Sequence, residues 1–154
     1  GDIPDRTENL KFGHKLDFLD ELADWSERLR NDNASAVLVG DLNIAPFESD
    51  VWNHKALVKI VSHTPVECAA LNRIRDVGLW TDAIRHLVPE PNPLFTWWSY
   101  RSTDWAAADK GRRLDHIWVG DQLRPRICGH TVLRDARGWD KPSDHVPLAL
   151  TLAD

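Results

Sequence analysis

The 154-residue sequence has no methionine, one tyrosine and two cysteines, and it contains no apolar run of bilayer-spanning length. Each shortage excludes something. Cys68 and Cys128 stand alone, without the spacing of a thiolate metal centre, and read as reduced thiols of a cytoplasmic protein. A membrane span needs about 20 apolar residues and a secretory leader needs its own pattern; with neither present, no membrane partner is expected. An initiator removed from before Gly1 would account for only one methionine. The loop-like start Gly1-Asp2-Ile3-Pro4 adds to the expectation of a piece of a longer chain.

What is present fits one ordinary hydrophobic core. The hydrophobic fraction of 42% and charged fraction of 28% are those of a globular protein and not of a disordered one. A net charge of −5 weighs mildly against a nucleic-acid partner, because phosphate binding calls for a basic surface. The charge is uneven, however. Residues 1–50 hold 5 basic and 12 acidic side chains, whereas residues 110–145 hold 8 basic and 5 acidic. The second stretch reads equally as a backbone-tracking face or as ordinary solvated surface.

Along the chain, Phe12, Leu16, Leu19, Leu22 and Leu29 recur at helical spacing and predict a helix over 8–30, ended by the turn Asn31-Asp32-Asn33. Ala36–Val39 is short and β-branched, which predicts a strand buried on both faces. Short helices are expected over 66–78, stopped by Gly78, and over 81–88, stopped by Pro89. Strands are expected over 95–100, 116–119, 130–133 and 146–152. Helices first and strands later suggest an α+β layered arrangement. Trp25, Trp80 and Trp118 are expected in the core, with Trp97 and Trp98 divided between core and ligand platform.

Three segments carry chemistry. In Val39-Gly40-Asp41-Leu42-Asn43-Ile44-Ala45-Pro46 an apolar strand runs into Gly-Asp-x-Asn-x-x-Pro. Side chains two apart on an extended chain point the same way, so Asp41 and Asn43 would project together, one able to orient a proton and the other to hold an oxygen. By itself the segment also reads as a common turn. In Ser143-Asp144-His145 an oxygen donor and an imidazole are adjacent before the last strand, suited to a divalent cation and a phosphate; a surface turn fits equally. Between them, Phe95-Thr96-Trp97-Trp98-Ser99-Tyr100-Arg101 and Gly111-Arg112-Arg113-Leu114-Asp115-His116 gather aromatics and arginines around Asp115. A carboxylate there needs a partner, and histidine is the natural one.

Taken in order, Gly-Asp-x-Asn-x-x-Pro, Arg-Leu-Asp-His and Ser-Asp-His resemble the exonuclease III and apurinic/apyrimidinic endonuclease family, within the endonuclease/exonuclease/phosphatase superfamily. The resemblance also takes in Lys11–Leu16, Gly78–Asp82 with Arg85-His86, and the Phe95–Arg101 box. It implies half of a four-layer α/β/β/α sandwich of the DNase I-like kind, corresponding to the C-terminal portion of one domain. It implies hydrolysis of DNA phosphodiesters with Mg²⁺ or Mn²⁺, at a 3' end or an abasic site in duplex DNA. By the same resemblance Asp41 orients or deprotonates water, Asn43 helps hold the phosphate, and His145 binds it with Asp115 fixing the imidazole. Asp144 contributes to the metal site, and Trp97 and Leu114 line the pocket for a deoxyribose lacking its base.

The chain departs from the family pattern in length, about half the usual, so that a metal-binding glutamate, an asparagine and a tyrosine have no counterpart. Ser99 stands where relatives often have Asp, and Arg112 where many have an apolar residue. A bare inner sheet face is therefore expected, needing a missing half or a second copy. The rivals are a superfamily phosphatase or phosphodiesterase acting on lipid or inositol phosphates, and a non-catalytic nucleic-acid-binding homologue. Trp97-Trp98 with Arg-Leu-Asp-His favours DNA over the first. The joint presence of Asp41, Asn43, Asp115, Asp144 and His145 disfavours the second.

Overall fold

The computed structural model describes residues 2–154. Its first element, α1 (Leu10–Asn31), is capped by the Asn9 side chain and ends at Asp32, with Asn33 in the left-handed region. Then follow β1 (Val37–Asp41), α2 (His54–Leu57) and α3 (Pro65–Gly78). Next come β2 (Thr81–Asp82), α4 (Ala83–Leu87), β3 (Trp97–Trp98), α5 (Trp105–Ala108) and β4 (Gly111–Arg112). The chain finishes with β5 (Asp115–Val119), β6 (Ile127–Val132) and β7 (Leu148–Leu152).

Phe12, Leu16, Leu19 and Ala23 of α1 and Leu71 and Ile74 of α3 pack on Leu38 of β1, Trp118 of β5 and Trp80. Two helices thus cover one face of the antiparallel sheet β1-β5-β2. Trp25 lies on the opposite side of α1 from that stripe and is 42% exposed, so the expectation that it is core fails. The expected burial of β1 on both faces fails as well. Leu38 is buried, but Val37 and Val39 are 47% and 65% exposed. Their side of the sheet is covered only in part among the described residues: Val119, opposite Val37, is buried, and Ile117, opposite Val39, is half-buried. The apolar, β-branched side chains left exposed there suit a further layer.

Two strand expectations lengthen, 116–119 to Asp115–Val119 and 130–133 to Ile127–Val132, while 146–152 shortens to Leu148–Leu152. The 95–100 run pairs only at Trp97–Trp98, and 81–88 divides into a short strand and a short helix. Gly78 behaves differently from its expected role. The left-handed residue ending α3 is Leu79, with φ of 51°. Gly78 is glycine for space: a Cβ there would lie 2.4 Å from Trp80 Nε1 and 2.9 Å from Ser26 Cβ.

The basic count over 110–145 also overstates the charged surface. Arg113 is fully buried, donating to both Asp50 oxygens at 2.8 and 2.9 Å and to Asp82 at 2.7 Å. Arg85 adds a further bond to Asp50 at 3.1 Å. Arg137 is buried beneath the Trp98 and Ser99 carbonyls. These arginines hold the interior together and are not available to a backbone.

Two outcomes are expected. Gly78→Ala should destabilise by about 1–3 kcal/mol through overpacking, whereas Leu79→Gly should be neutral or stabilising by up to about 1 kcal/mol, since it relieves a left-handed non-glycine; urea unfolding compares them. His116 is buried, and burial together with the Arg113 charge pushes its pKa from 6.5 to about 4. As pH falls from 6.5 towards 4 the unfolded chain gains a proton that the fold refuses, so stability drops through that window. His116→Asn should lose less stability than the parent between pH 7 and 4.5 in the same assay.

Candidate active site

The β1–β5 register sets Asp41 directly opposite Asp115 at the end of the sheet. Cross-strand neighbours sit about 5 Å apart, and like charges there repel. At an effective dielectric of about 20, two unit charges at that distance cost roughly 3 kcal/mol, less where water screens them. His145 relieves the conflict. Its Nδ1 lies 2.9 Å from Asp115 Oδ2 and its Nε2 lies 3.8 Å from Asp41 Oδ2. Because a carboxylate only accepts, Nδ1 carries the proton, and Nε2 faces Asp41 and the open cleft.

The backbone and a buried hydroxyl fix this arrangement. Gly40 has φ of 151°, which side chains rarely adopt, immediately before Asp41. Thr96, fully buried, donates its hydroxyl to Asp115 Oδ2 at 2.6 Å and accepts the Leu114 and Asp115 N–H groups. His145 reaches the site because Trp97 bridges to it, and the Val146 N–H donates to the Thr96 carbonyl. Thr96 escaped sequence reading; nothing in its residue type set it apart from its aromatic neighbours. His116, adjacent to Asp115, alternates to the other face and donates Nε2–H to the Ile44 carbonyl in the core.

The titrations follow the geometry. Burial raises the Asp41 carboxyl above the usual range; the Asn43 N–H opposes this, and the Asp115 charge adds to it. Burial works against charge on His145, but the Asp115 hydrogen bond and charge, with those of Asp41 and Asp144, outweigh it and raise the imidazole.

The other expected residues fall around this trio. Asn43 does not share the strand alternation assumed for it: the chain turns after Leu42, Asn43 has φ of 52°, and its N–H donates to Asp41 Oδ1 at 2.8 Å. Lys15 donates to the Asn43 carbonyl and to buried Glu67, both at 2.6 Å, and so holds that turn. Asp144, the expected metal ligand, stands outside the close group. Its Oδ2 accepts the Trp97 indole N–H at 2.9 Å, which leaves its other oxygen for an ion. Leu114 and Trp97 pack together with Ala45, Val51 and Leu57. Trp98 is core, between Phe95 and Trp105.

Asp41, Asp115 and His145 each offer a ligand atom within 4.8 Å of the others. Two carboxylates, with Asp144 at the rim, are hard oxygen donors, and that set fits Mg²⁺ or Mn²⁺ better than a thiophilic metal. Cys68 is no competitor, its thiol pushed up to about 11 chiefly by burial.

Residues 4–145 match the endonuclease/exonuclease/phosphatase family. The chain belongs to that family. It is similar to the exodeoxyribonuclease III of Haemophilus influenzae, 33% identical over 149 residues that make up 93% of this chain and 55% of the relative. It is also similar to the DNA repair nuclease APEX1 of Danio rerio, 34% identical over 117 residues, 76% of this chain and 36% of the relative. An AP endonuclease structure from Archaeoglobus fulgidus and a 3'-5' exonuclease structure from Neisseria meningitidis each give a TM-score of 0.87 at 27% identity. They cover 94% and 95% of this chain and 56% of their own. The fold is therefore the DNase I-like α+β one, and the chain spans about half the length of these relatives.

Asp115→Asn should lower the His145 pKa towards or below its free value, because both the hydrogen-bonding carboxylate and its charge are lost. An NMR titration of the imidazole protons reads the shift; an unchanged midpoint would remove Asp115 as the group that holds His145.

Proposed function

We propose that this chain forms the phosphate-binding part of a metal-dependent DNA-repair nuclease of the exonuclease III type, a 3'-5' exodeoxyribonuclease, an abasic-site endonuclease, or both. The observation that carries this reading is the convergence of Asp41, Asp115 and His145, from three distant parts of the chain, on one sheet end. The two similar proteins named for DNA repair and exonuclease activity support it.

In this reading, His145 in its protonated form donates from Nε2 to a nonbridging phosphate oxygen, and Asp115 keeps the imidazole charged and oriented. Asp41, raised above the usual carboxylate range, is placed to accept a proton from the attacking water. Asn43 holds a phosphate oxygen without adding charge. A divalent ion held with the help of Asp144 supplies charge neutralisation at phosphorus and at the leaving oxygen. Trp97 and Leu114 form the wall against which the sugar rests.

The open face bearing Val37, Val39 and Ile117 takes the second sheet of the sandwich, from the rest of the same domain or from a second copy. A trough of about 390 Å³ lined by Val39, Asp115, Ile117, Val146 and Leu148 leads from that face to the site, so the covering layer also closes the catalytic cleft.

Cleavage of an abasic duplex with Mg²⁺, set beside a phosphoinositide substrate, tests the function. The chain alone should be weakly active, with turnover restored by the complementing half, and the phosphoinositide should be left intact. In the restored enzyme, Asp41→Asn or His145→Ala should lower kcat by about 10² or more. Full activity in either variant would remove the catalytic assignment, and robust turnover by the chain alone would show the missing glutamate to be dispensable.

A further inference from the structure

One exposed aromatic ring beside the site has no part in the proposed chemistry. Trp139 is 59% exposed, the most open of the eight tryptophans. Other tryptophans near the surface are already occupied. Lys110 lies over the Trp52 ring at 4.9 Å, Arg112 over Trp97 at 5.3 Å, and Arg134 over Trp105 at 4.8 Å. Among the described residues no ring or cation lies over Trp139. Its indole N–H has no partner there either, whereas those of Trp97 and Trp98 donate to Asp144 and Asp109.

The loop that carries the ring is anchored. The Trp139 N–H donates to the Ala136 carbonyl at 3.3 Å, and the Tyr100 hydroxyl donates to the Pro142 carbonyl at 2.8 Å. Tyr100 is itself covered by the Arg137 guanidinium, 5.0 Å from its ring centroid, and Arg137 is buried and bonded to the Trp98 carbonyl. Between the two anchors Lys141 takes φ of 49°, a backbone that a residue with a Cβ holds only where its surroundings impose it. Trp139 and His145 line one cavity of about 430 Å³, together with Pro142 and Val146. Small-ligand sites span about 300–1,000 Å³, so the space suffices for a flat ring. Besides His145, its charged lining residues are Asp140 and Lys141, which offset one another. The lining beyond His145 therefore suits a neutral, planar group and not a second anion.

We propose that Trp139 is a base-stacking platform: with a phosphate on His145, the neighbouring nucleobase leaves the helical stack and lies on the Trp139 ring, so that the site takes unpaired nucleotides ahead of fully paired ones. The inference rests on the DNA reading of the site given above. Every base has a π-face, so an indole accepts any of them. A base within a duplex is covered by its neighbours, and lifting it out costs least where it is mispaired or already single-stranded. A ring on an anchored loop loses little freedom when the base arrives, which strengthens the contact.

Three short DNA probes test this: a fully paired duplex, the same duplex with a short unpaired tail, and one whose tail is built of tetrahydrofuran residues without bases. Each is titrated into the ¹⁵N-labelled chain while the Trp139 indole and His145 imidazole signals are followed. The tail with bases should bind roughly tenfold more tightly than the tail without them and shift the Trp139 signal, the size expected of one stacked base. Trp139→Ala should erase that ratio and Trp139→Phe should keep part of it, with melting curves confirming that each variant folds; Trp139→Gln carries the comparison if alanine does not fold. An unchanged ratio in the alanine or glutamine variant, or a still Trp139 signal while His145 signals move, overturns the platform and leaves the DNA reading standing. Protection of the Trp139 indole N–H from solvent exchange on adding the complementing half would make the ring a contact within the domain, and overturns the platform too. If no probe moves the His145 signals, both readings fall.

Discussion

Two carboxylates face one another across the β1–β5 ladder, and the register that puts them there is the constraint on which the site depends. Opposed acids destabilise a sheet unless positive charge lies between them. His145 provides that charge from the far end of the chain; the neighbouring carboxylates raise its proton affinity, while burial first, and the Asp115 charge after it, raise that of Asp41.

Holding that register requires β5 to start at a fixed point. The buried Asp50–Arg113–Asp82 network with Arg85 supplies it, because Arg113 lies two residues before Asp115 and every charge around it is paired. Such a network is a poor source of net stability but fails badly when one member is removed. Its value here is positional: it ties the loop after β1, the α4 region and the start of β5 to one point. Thr96 does the same for the Asp115 carboxylate on the side of the aromatic box.

The sheet also carries a partly exposed apolar face. In the DNase I-like sandwich two sheets pack face to face, and here Val37 and Val39 stay exposed on a face that is covered only in part among the described residues. The chain spans about half the length of these relatives. Departures within the site are local. Arg112 lies over the Trp97 ring, beside and not within the Asp41–Asp115–His145 group.

Much of this was legible in the linear sequence. Helical spacing located α1, β-branching located β1, and the ordered motifs Gly-Asp-x-Asn, Arg-Leu-Asp-His and Ser-Asp-His, through the family they resemble, pointed to Asp41, Asp115 and His145, which meet. What local preference could not supply was the neighbour of each residue. Whether Val39 is covered, whether Arg113 faces solvent or Asp50, and whether Asn43 follows strand alternation or a left-handed turn depend on contacts between distant segments. Sequence alone determined which chemical groups the protein carries and roughly where the chain bends. Tertiary structure decided which of those groups share a low-dielectric space, and pKa, pairing and the open face all follow from that proximity.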